Sequence, residues 1–443
     1  MALSLTRRGF ISASGLTAAL AAVSSTAACA GSRQSSGRGS GALTYWASNQ
    51  GASVDDDKAT LTPLLEEFTA ETGIEVEMEV IGWNDLQTRI QTAVTSGDAP
   101  DVVNIGNTWA VSLQATGAFL EFDEAALEAV GGADKFVETA LATCGAPGTT
   151  PTSLPLYGLA YGLYYNRQMF TDAGLEAPTT WEEMVDAAKR LTDPGKGVYG
   201  MAIAAGSYTE NAHYAFINAA QEGEELFDSD GNPTFTGDGV VNGILRYLDL
   251  MQTDAVVNTS NAQYDNGADS VADFANGKAA MIINQNNADT TIVANGMTHD
   301  QFGVVPYPAP AGAPDDTASH VAGINIALFA NTGNRDGALQ LVKFLTEAEQ
   351  QATLGEQFKT LPVLKGEEPT FTEDAQEAAI FMEVYENRAK PLPLVPAEDQ
   401  FESSVGQAMN DMFASVATGT VLTADDVRQA LQSAQDTVSA AIG

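Results

Sequence analysis

An α/β fold, with helices on both faces of a mostly parallel sheet, is what this sequence predicts. Short apolar or alternating runs recur between stretches whose apolar residues are spaced three and four apart, and Gly, Pro, Asp and Asn punctuate the joins. A strand, a helix and a second strand in succession imply a right-handed parallel unit. At 443 residues and 44% hydrophobic, the chain is long enough for two domains with real cores.

The first 28 residues read as an address. Thr6-Arg7-Arg8-Gly9-Phe10-Ile11 resembles a twin-arginine export signal, and the alanine-rich stretch 16–23 is too short to span a bilayer permanently. Ala27-Ala28-Cys29 resembles a lipoprotein cleavage site, with Cys29 the residue to be acylated; Thr26 departs from the usual aliphatic residue. Residues 29–42 then form the lipidated cysteine and a Gly/Ser-rich tether.

After the tether, Leu43-Thr44-Tyr45-Trp46-Ala47 reads as the opening strand and Ser48-Asn49-Gln50-Gly51 as a polar turn. Leu61, Leu64, Leu65 and Phe68 fit a helix, and residues 74–80 alternate as a second strand. A helix from Trp83 to about Thr95 leads through Ser96-Gly97-Asp98-Ala99-Pro100 into a buried-looking strand, 101–105. Asp98 and Asp101 read as caps of the turn and the next element. Residues 157–165 suggest another strand. Thr180 followed three residues later by Glu183 has the spacing of a capping box, opening a helix in which Trp181 packs its own face. Residues 274–283 give a helix end, a Gly-Lys turn and a strand; 324–329 gives a strand, followed by a helix over 335–346.

The charge narrows the function. Without the address the chain holds 18 basic and 58 acidic residues, which repels nucleic acid and anionic headgroups alike. The acids are dispersed over helical segments as solvated faces, and Asp55-Asp56-Asp57 reads as a solvated helix start because it lacks the spacing of a calcium loop. His213, His299 and His320 show no metal-ligand spacing, and neither a nucleophile elbow nor a phosphate loop is present, so no metal, cofactor or catalytic residue is assigned. A chance carboxylate pair of the glycosidase kind is the one enzymatic alternative.

A colinear series of motifs resembles the extracellular solute-binding proteins of carbohydrate ABC transporters, the maltose-binding-protein-like group. The series runs Ser96-Gly97-Asp98-Ala99-Pro100-Asp101-Val102, Tyr165-Asn166-Arg167, Ala173-Gly174-Leu175, Pro178-Thr179-Thr180-Trp181-Glu182-Glu183, Phe274-Ala275-Asn276-Gly277-Lys278-Ala279-Ala280-Met281, Val305-Pro306 and Gly323-Ile324. The resemblance implies a two-lobed periplasmic-binding-protein-like fold with ligand in the cleft between lobes. It places an N-terminal lobe at 43–150 and 315–360 and a C-terminal lobe at 155–312 and 363–443. It further implies a monomer, lipid-anchored outside the membrane, that delivers a neutral sugar or oligosaccharide to ABC permease subunits.

Sugar sites pair planar aromatics with amide, carboxylate and imidazole groups. Strand ends offer such residues in Asn49, Gln50, Trp83, Asn104, Asn107 and Trp109; by resemblance the second lobe offers Glu210, Asn211, His213, Asn286, Asn287 and Glu402, with Tyr161, Gly323 and Asn325 completing the set. Trp83 and Trp109 read equally as core aromatics, and Asn104 and Asn107 as turn formers. Where many members carry Gly-X-Trp this chain has Gln285-Asn286-Asn287, and Glu402 stands near a second expected stacking position, so maltose itself fits poorly. A polyol, a glycosylated osmolyte or a glycerophosphodiester is the alternative ligand, but a phosphate would call for cations that these loops lack.

Overall fold

The structure, a computed structural model, describes residues 41–442 apart from Ala52; the twin-arginine and Cys29 readings fall outside them. Its strands are β1 Leu43–Ser48, β2 Val76–Ile81, β3 Val102–Gly106, β4 Ser153–Leu159, β5 Tyr161–Asn166, β6 Tyr199–Ala202, β7 Ala279–Gln285, β8 Phe302–Val305, β9 Ser319–His320, β10 Ala322–Leu328 and β11 Ala389–Lys390. They form a five-stranded sheet ordered β2-β1-β3-β10-β4, a four-stranded sheet ordered β6-β7-β5-β8, and the small parallel pair β9 and β11.

Each large sheet is parallel except for one strand. β10 runs antiparallel to β3 and β4, and β5 runs antiparallel to β7 and β8. These reversed strands are the ones by which the chain enters a sheet from the other. No helix separates β4 from β5, so the chain does not turn back and the second strand arrives reversed.

Layering follows from alternation. Tyr45 and Ala47 of β1 join the core that buries Leu61, Leu64, Leu65 and Phe68 of the helix Val54–Thr72, while Trp46 faces the opposite core with Leu86, Ile90 and Ala93 of the helix Trp83–Ser96. Ser53 caps the first helix by accepting from the Asp56 amide, and Gly73 ends it in the left-handed region. Truncating a side chain such as Leu86, fully buried, to alanine costs about 2–5 kcal/mol.

Four expectations change. The single strand expected over 157–165 is two strands in different sheets, and the lobe boundary expected at 155 falls inside β4; the chain changes sheet at Ala160. All of β4 and the first four residues of β5 are buried, so the apolar pattern runs through the crossing without a mark. The acidic run at 55–57 is not wholly solvated either, because Asp57 is completely buried. The capping box is half formed: Thr180 accepts from the Glu183 amide, but the Glu183 carboxylate turns to the amide and hydroxyl of Thr179.

Candidate functional site

A cleft of about 520 Å³ lies between the two sheets, and it collects the loops that follow the carboxyl ends of β1, β3 and β7, the start of β10 and the start of the helix Tyr208–Gln221. Open α/β sheets present ligand groups at these strand ends.

The first wall is built on Asp57. Its carboxylate accepts from the amides of Gln50 and Gly51 at 3.0 and 2.7 Å and from the Asn49 side chain, which folds the loop after β1 around a buried acid. Burial raises the Asp57 carboxyl above its ordinary range against the pull of these donors. Trp83 opens its helix at the cleft edge, 37% exposed, and donates from Nε1 to the Asn49 carbonyl at 2.7 Å. Its ring meets Trp109 edge-on, with centroids 5.6 Å apart. Asn107 donates to the Val321 carbonyl at 2.7 Å, which ties the loop after β3 to the residue joining β9 and β10. Gly323 has φ of +155°, and a Cβ there would stand 2.3 Å from the Tyr157 carbonyl, so this wall admits no side chain at that point.

Ionisable groups dominate the second wall. Glu210 sits in the first turn of the helix capped by Ser207, and burial pushes its carboxyl up to about 7. Gly267 lets the next element approach it: a Cβ there would lie 2.8 Å from Glu210 Oε1 and from Asn284 Nδ2. Deeper in, the Tyr161 hydroxyl and His213 Nδ1 are 3.0 Å apart, and His213 Nε2 lies 3.3 Å from Glu402 Oε1. Burial holds Tyr161 protonated, so the imidazole of His213 is bracketed by a phenol at Nδ1 and a carboxylate at Nε2. Glu398, 1% exposed, has no donor for either oxygen among the described residues, and burial beside the charge of Glu402 pushes its carboxyl well above the usual range. His320 packs against His213, ring centroids 4.0 Å apart and tilted by 36°, with both ring nitrogens unpartnered among the described residues, and burial together with His213 holds it neutral.

Of the expected residues, Asn49, Gln50, Trp83, Asn107, Trp109, Glu210, His213, Asn287, Gly323 and Glu402 line the cleft. Five do not, being buried and bonded within the protein. Asn104 is fully buried between the Tyr45 hydroxyl and Ser48. Tyr161 lies behind His213. Asn211 bonds the Ala205 carbonyl and Asn410, fastening its helix to the helix Glu398–Ala417. Asn286 accepts from the Ala160 amide at 2.9 Å and donates to the Lys359 carbonyl at 2.5 Å, joining two segments that cross between sheets. Asn325 bonds Thr143 and Ser153 inside the first sheet.

Thr108, Tyr208, Thr209, Asn266, Asn284 and His320 also line the cleft. Asn284 was within reach of the sequence as the residue after the strand expected to end at 283, although the structure extends β7 through Gln285, and Tyr208 as the neighbour of a capping serine. Nothing local marks His320, which sits on a two-residue strand.

A family model described as bacterial extracellular solute-binding protein matches residues 51–352, about two thirds of the chain. The chain belongs to that family. Its members are extracytoplasmic binding proteins of ABC transporters, and the two-sheet fold is that of the maltose-binding-protein-like group. Among relatives, the diacetylchitobiose binding protein DasA of Streptomyces coelicolor is 24% identical over 375 residues, 80% of this chain and 82% of its own. A solute-binding protein from Thermotoga lettingae solved with α-D-tagatose superposes with a TM-score of 0.77 at 23% identity, covering 91% of this chain and all of that one. Another, from Agrobacterium radiobacter with ribitol, gives 0.75 at 23% identity over 90% of this chain and 98% of its own. The family's members bind rather than transform their ligands.

Proposed function

We propose that this protein captures a neutral polyhydroxylated ligand, a sugar or short oligosaccharide, in the cleft and delivers it to an ABC permease. The observation that carries this reading is the lining itself. Among the described residues it combines amides, hydroxyls, two carboxylates and the aromatic faces of Trp83, Trp109 and Tyr208 with no lysine or arginine. Hydroxyls exchange donors and acceptors with amides, the C–H faces of a sugar ring match aromatic faces, and an anion would meet Glu210 and Glu402 without a counter-charge. The volume falls in the range of small-molecule sites, about 300–1,000 Å³.

A linear polyol is the second reading, favoured by the ribitol carried by the Agrobacterium neighbour. A thermal-shift screen separates the two: a larger rise in melting temperature with sugars than with linear polyols supports the first reading, and the reverse order supports the second. Sugars should raise the melting temperature most, while sugar phosphates and glycerophosphodiesters leave it unmoved. A shift with the phosphorylated compounds alone would overturn the neutral-ligand reading.

The monomer is held at the outer face of the membrane through acylated Cys29, a reading supported by the small residues before it and the tether after it. Cys29→Ala should release the protein into the medium; a variant that stays in the membrane fraction would contradict the anchor.

A further inference from the structure

Behind the second wall, outside the cleft, three side chains distant in sequence converge. Asp289 lies on the helix Ala288–Ala294, His299 in the connection to β8, and Glu377 on the helix Ala375–Asn387, which packs on β5 and β8. One donor atom from each lies within 4.8 Å of the other two. Asp289 and Glu377 are 1% and 4% exposed, and Oδ1 of the first and Oε1 of the second have no hydrogen-bond partner among the described residues. His299 Nδ1 stands 3.2 Å from Asp289 Oδ1, near enough for a hydrogen bond yet not aligned as one.

Two buried carboxylates with free lone pairs are a costly arrangement, since each needs a donor, a proton or a cation. Burial raises both carboxyls above the ordinary range; His299 and Lys359 pull Asp289 down, and the Thr372 hydroxyl, which donates to Glu377 Oε2 at 2.9 Å, pulls Glu377 down, yet neither Asp289 Oδ1 nor Glu377 Oε1 gains a hydrogen-bond donor among the described residues. What the cluster lacks is a positive centre that accepts lone pairs from three directions.

We propose that Asp289, His299 and Glu377 form a binding site for a divalent transition-metal ion of the zinc type. An imidazole among the ligands argues against calcium and magnesium, which take oxygen donors, and in favour of zinc and its neighbours. In a tetrahedral site with metal–ligand distances of about 2.0–2.1 Å, ligand atoms stand roughly 3.3 Å apart. The 3.2 Å between His299 and Asp289 is already such an edge, and rotation of the Glu377 side chain closes the third corner. Three protein ligands leave the fourth position to water. The His299 side chain is 44% exposed and gives the ion a path in.

The sequence could not reveal this site, because ligands at 289, 299 and 377 have no motif spacing. Its consequence reaches the cleft: Thr290 and Thr291, on the same helix as Asp289, line the second wall, so a bound ion would fix the position of that wall.

The test is calorimetric titration of zinc chloride into the full chain after treatment with a chelator, without sugar. One ion should bind per chain and raise the melting temperature, and cobalt in its place should give the intense visible absorption of a tetrahedral site. His299→Ala should weaken zinc binding on the order of tenfold or more, with the metal-free melting temperature unchanged because that residue is half exposed; Glu377→Gln should do the same to affinity. The proposal is overturned if zinc leaves the melting temperature of the parent unmoved, or if His299→Ala responds to zinc as the parent does, which would put the ion elsewhere, for instance at the packed pair His213 and His320.

Discussion

The two walls of the cleft are built by different means. The first is assembled from loops that directly follow β1 and β3 and from the opening residue of one helix, and a single buried acid, Asp57, holds its leading loop. The second draws His213, His320 and Glu402 from three distant parts of the chain and links them through one another's side chains. A wall of the first kind is rigid because backbone amides end on one carboxylate. A wall of the second kind is set by protonation states, since each bond depends on which partner holds the proton.

If that contrast is right, the largest effect should come from Asp57→Ala. It leaves the Gln50 and Gly51 amides without their acceptor and frees the Asn49 side chain, so the first wall loses its shape as well as its contacts. Sugar affinity should fall about a hundredfold, from two unpaired donors at roughly 1–3 kcal/mol each offset by relaxation, and the ligand-free melting temperature should fall too. Calorimetry and thermal melts report both. A variant that binds like its parent would show that the loop is not held by Asp57.

Next comes Trp109→Ala, which removes a stacking face and the edge-on partner of Trp83. An aromatic contact of this kind is worth about 0.5–1.5 kcal/mol, so affinity should fall roughly two- to tenfold with little change in stability. Quenching of tryptophan fluorescence by sugar should weaken in parallel; unchanged quenching would move the ligand away from this pair.

The smallest effect sharpens the second wall. The Glu210 carboxyl is raised from 4.5 to about 7 in the fold, so its favourable contribution is fully present below pH 4.5 and is lost as the pH rises through 7. Glu210→Gln should therefore be more stable than the parent at pH 8, by on the order of 1–2 kcal/mol, and the difference should vanish near pH 4.5; water in the cleft keeps it below the full linkage value. A difference that does not change with pH would contradict the burial of that charge.

The same contrast explains what the sequence disclosed. β1, β2, β3, β7 and β10 were legible because each carries an apolar or alternating run bounded by turn residues, and the helices over 54–72 and 83–96 because their apolar spacing repeats. Strand ends gave the first wall almost complete, with Asn104 the exception: it falls on the inner face of β3, where the Tyr45 hydroxyl claims it. Asp57 was misjudged because a run of three acids at a helix start looks solvated, and only the returning loop buries the third. The second wall was half legible. Glu210, His213 and Glu402 come by resemblance, but His320 acquires its meaning from packing on His213, 107 residues away in the sequence, and Glu398 from its burial beside Glu402. Asn286, expected to meet ligand, instead holds two crossing segments, a role defined by the sheets' arrangement rather than by local pattern.

The central claim is that one neutral ligand touches both walls, and a pair of calorimetric titrations tests it most directly. Gln50→Ala changes the first wall and Asn284→Ala the second, each at a side chain that lines the cleft and lies outside the cores. With the sugar that most stabilises the parent, each variant should bind about 5- to 150-fold more weakly, the cost of one buried hydrogen-bonding partner lost. If either variant binds as the parent does while the other loses affinity, the ligand rests on one wall alone and the two-walled site is wrong.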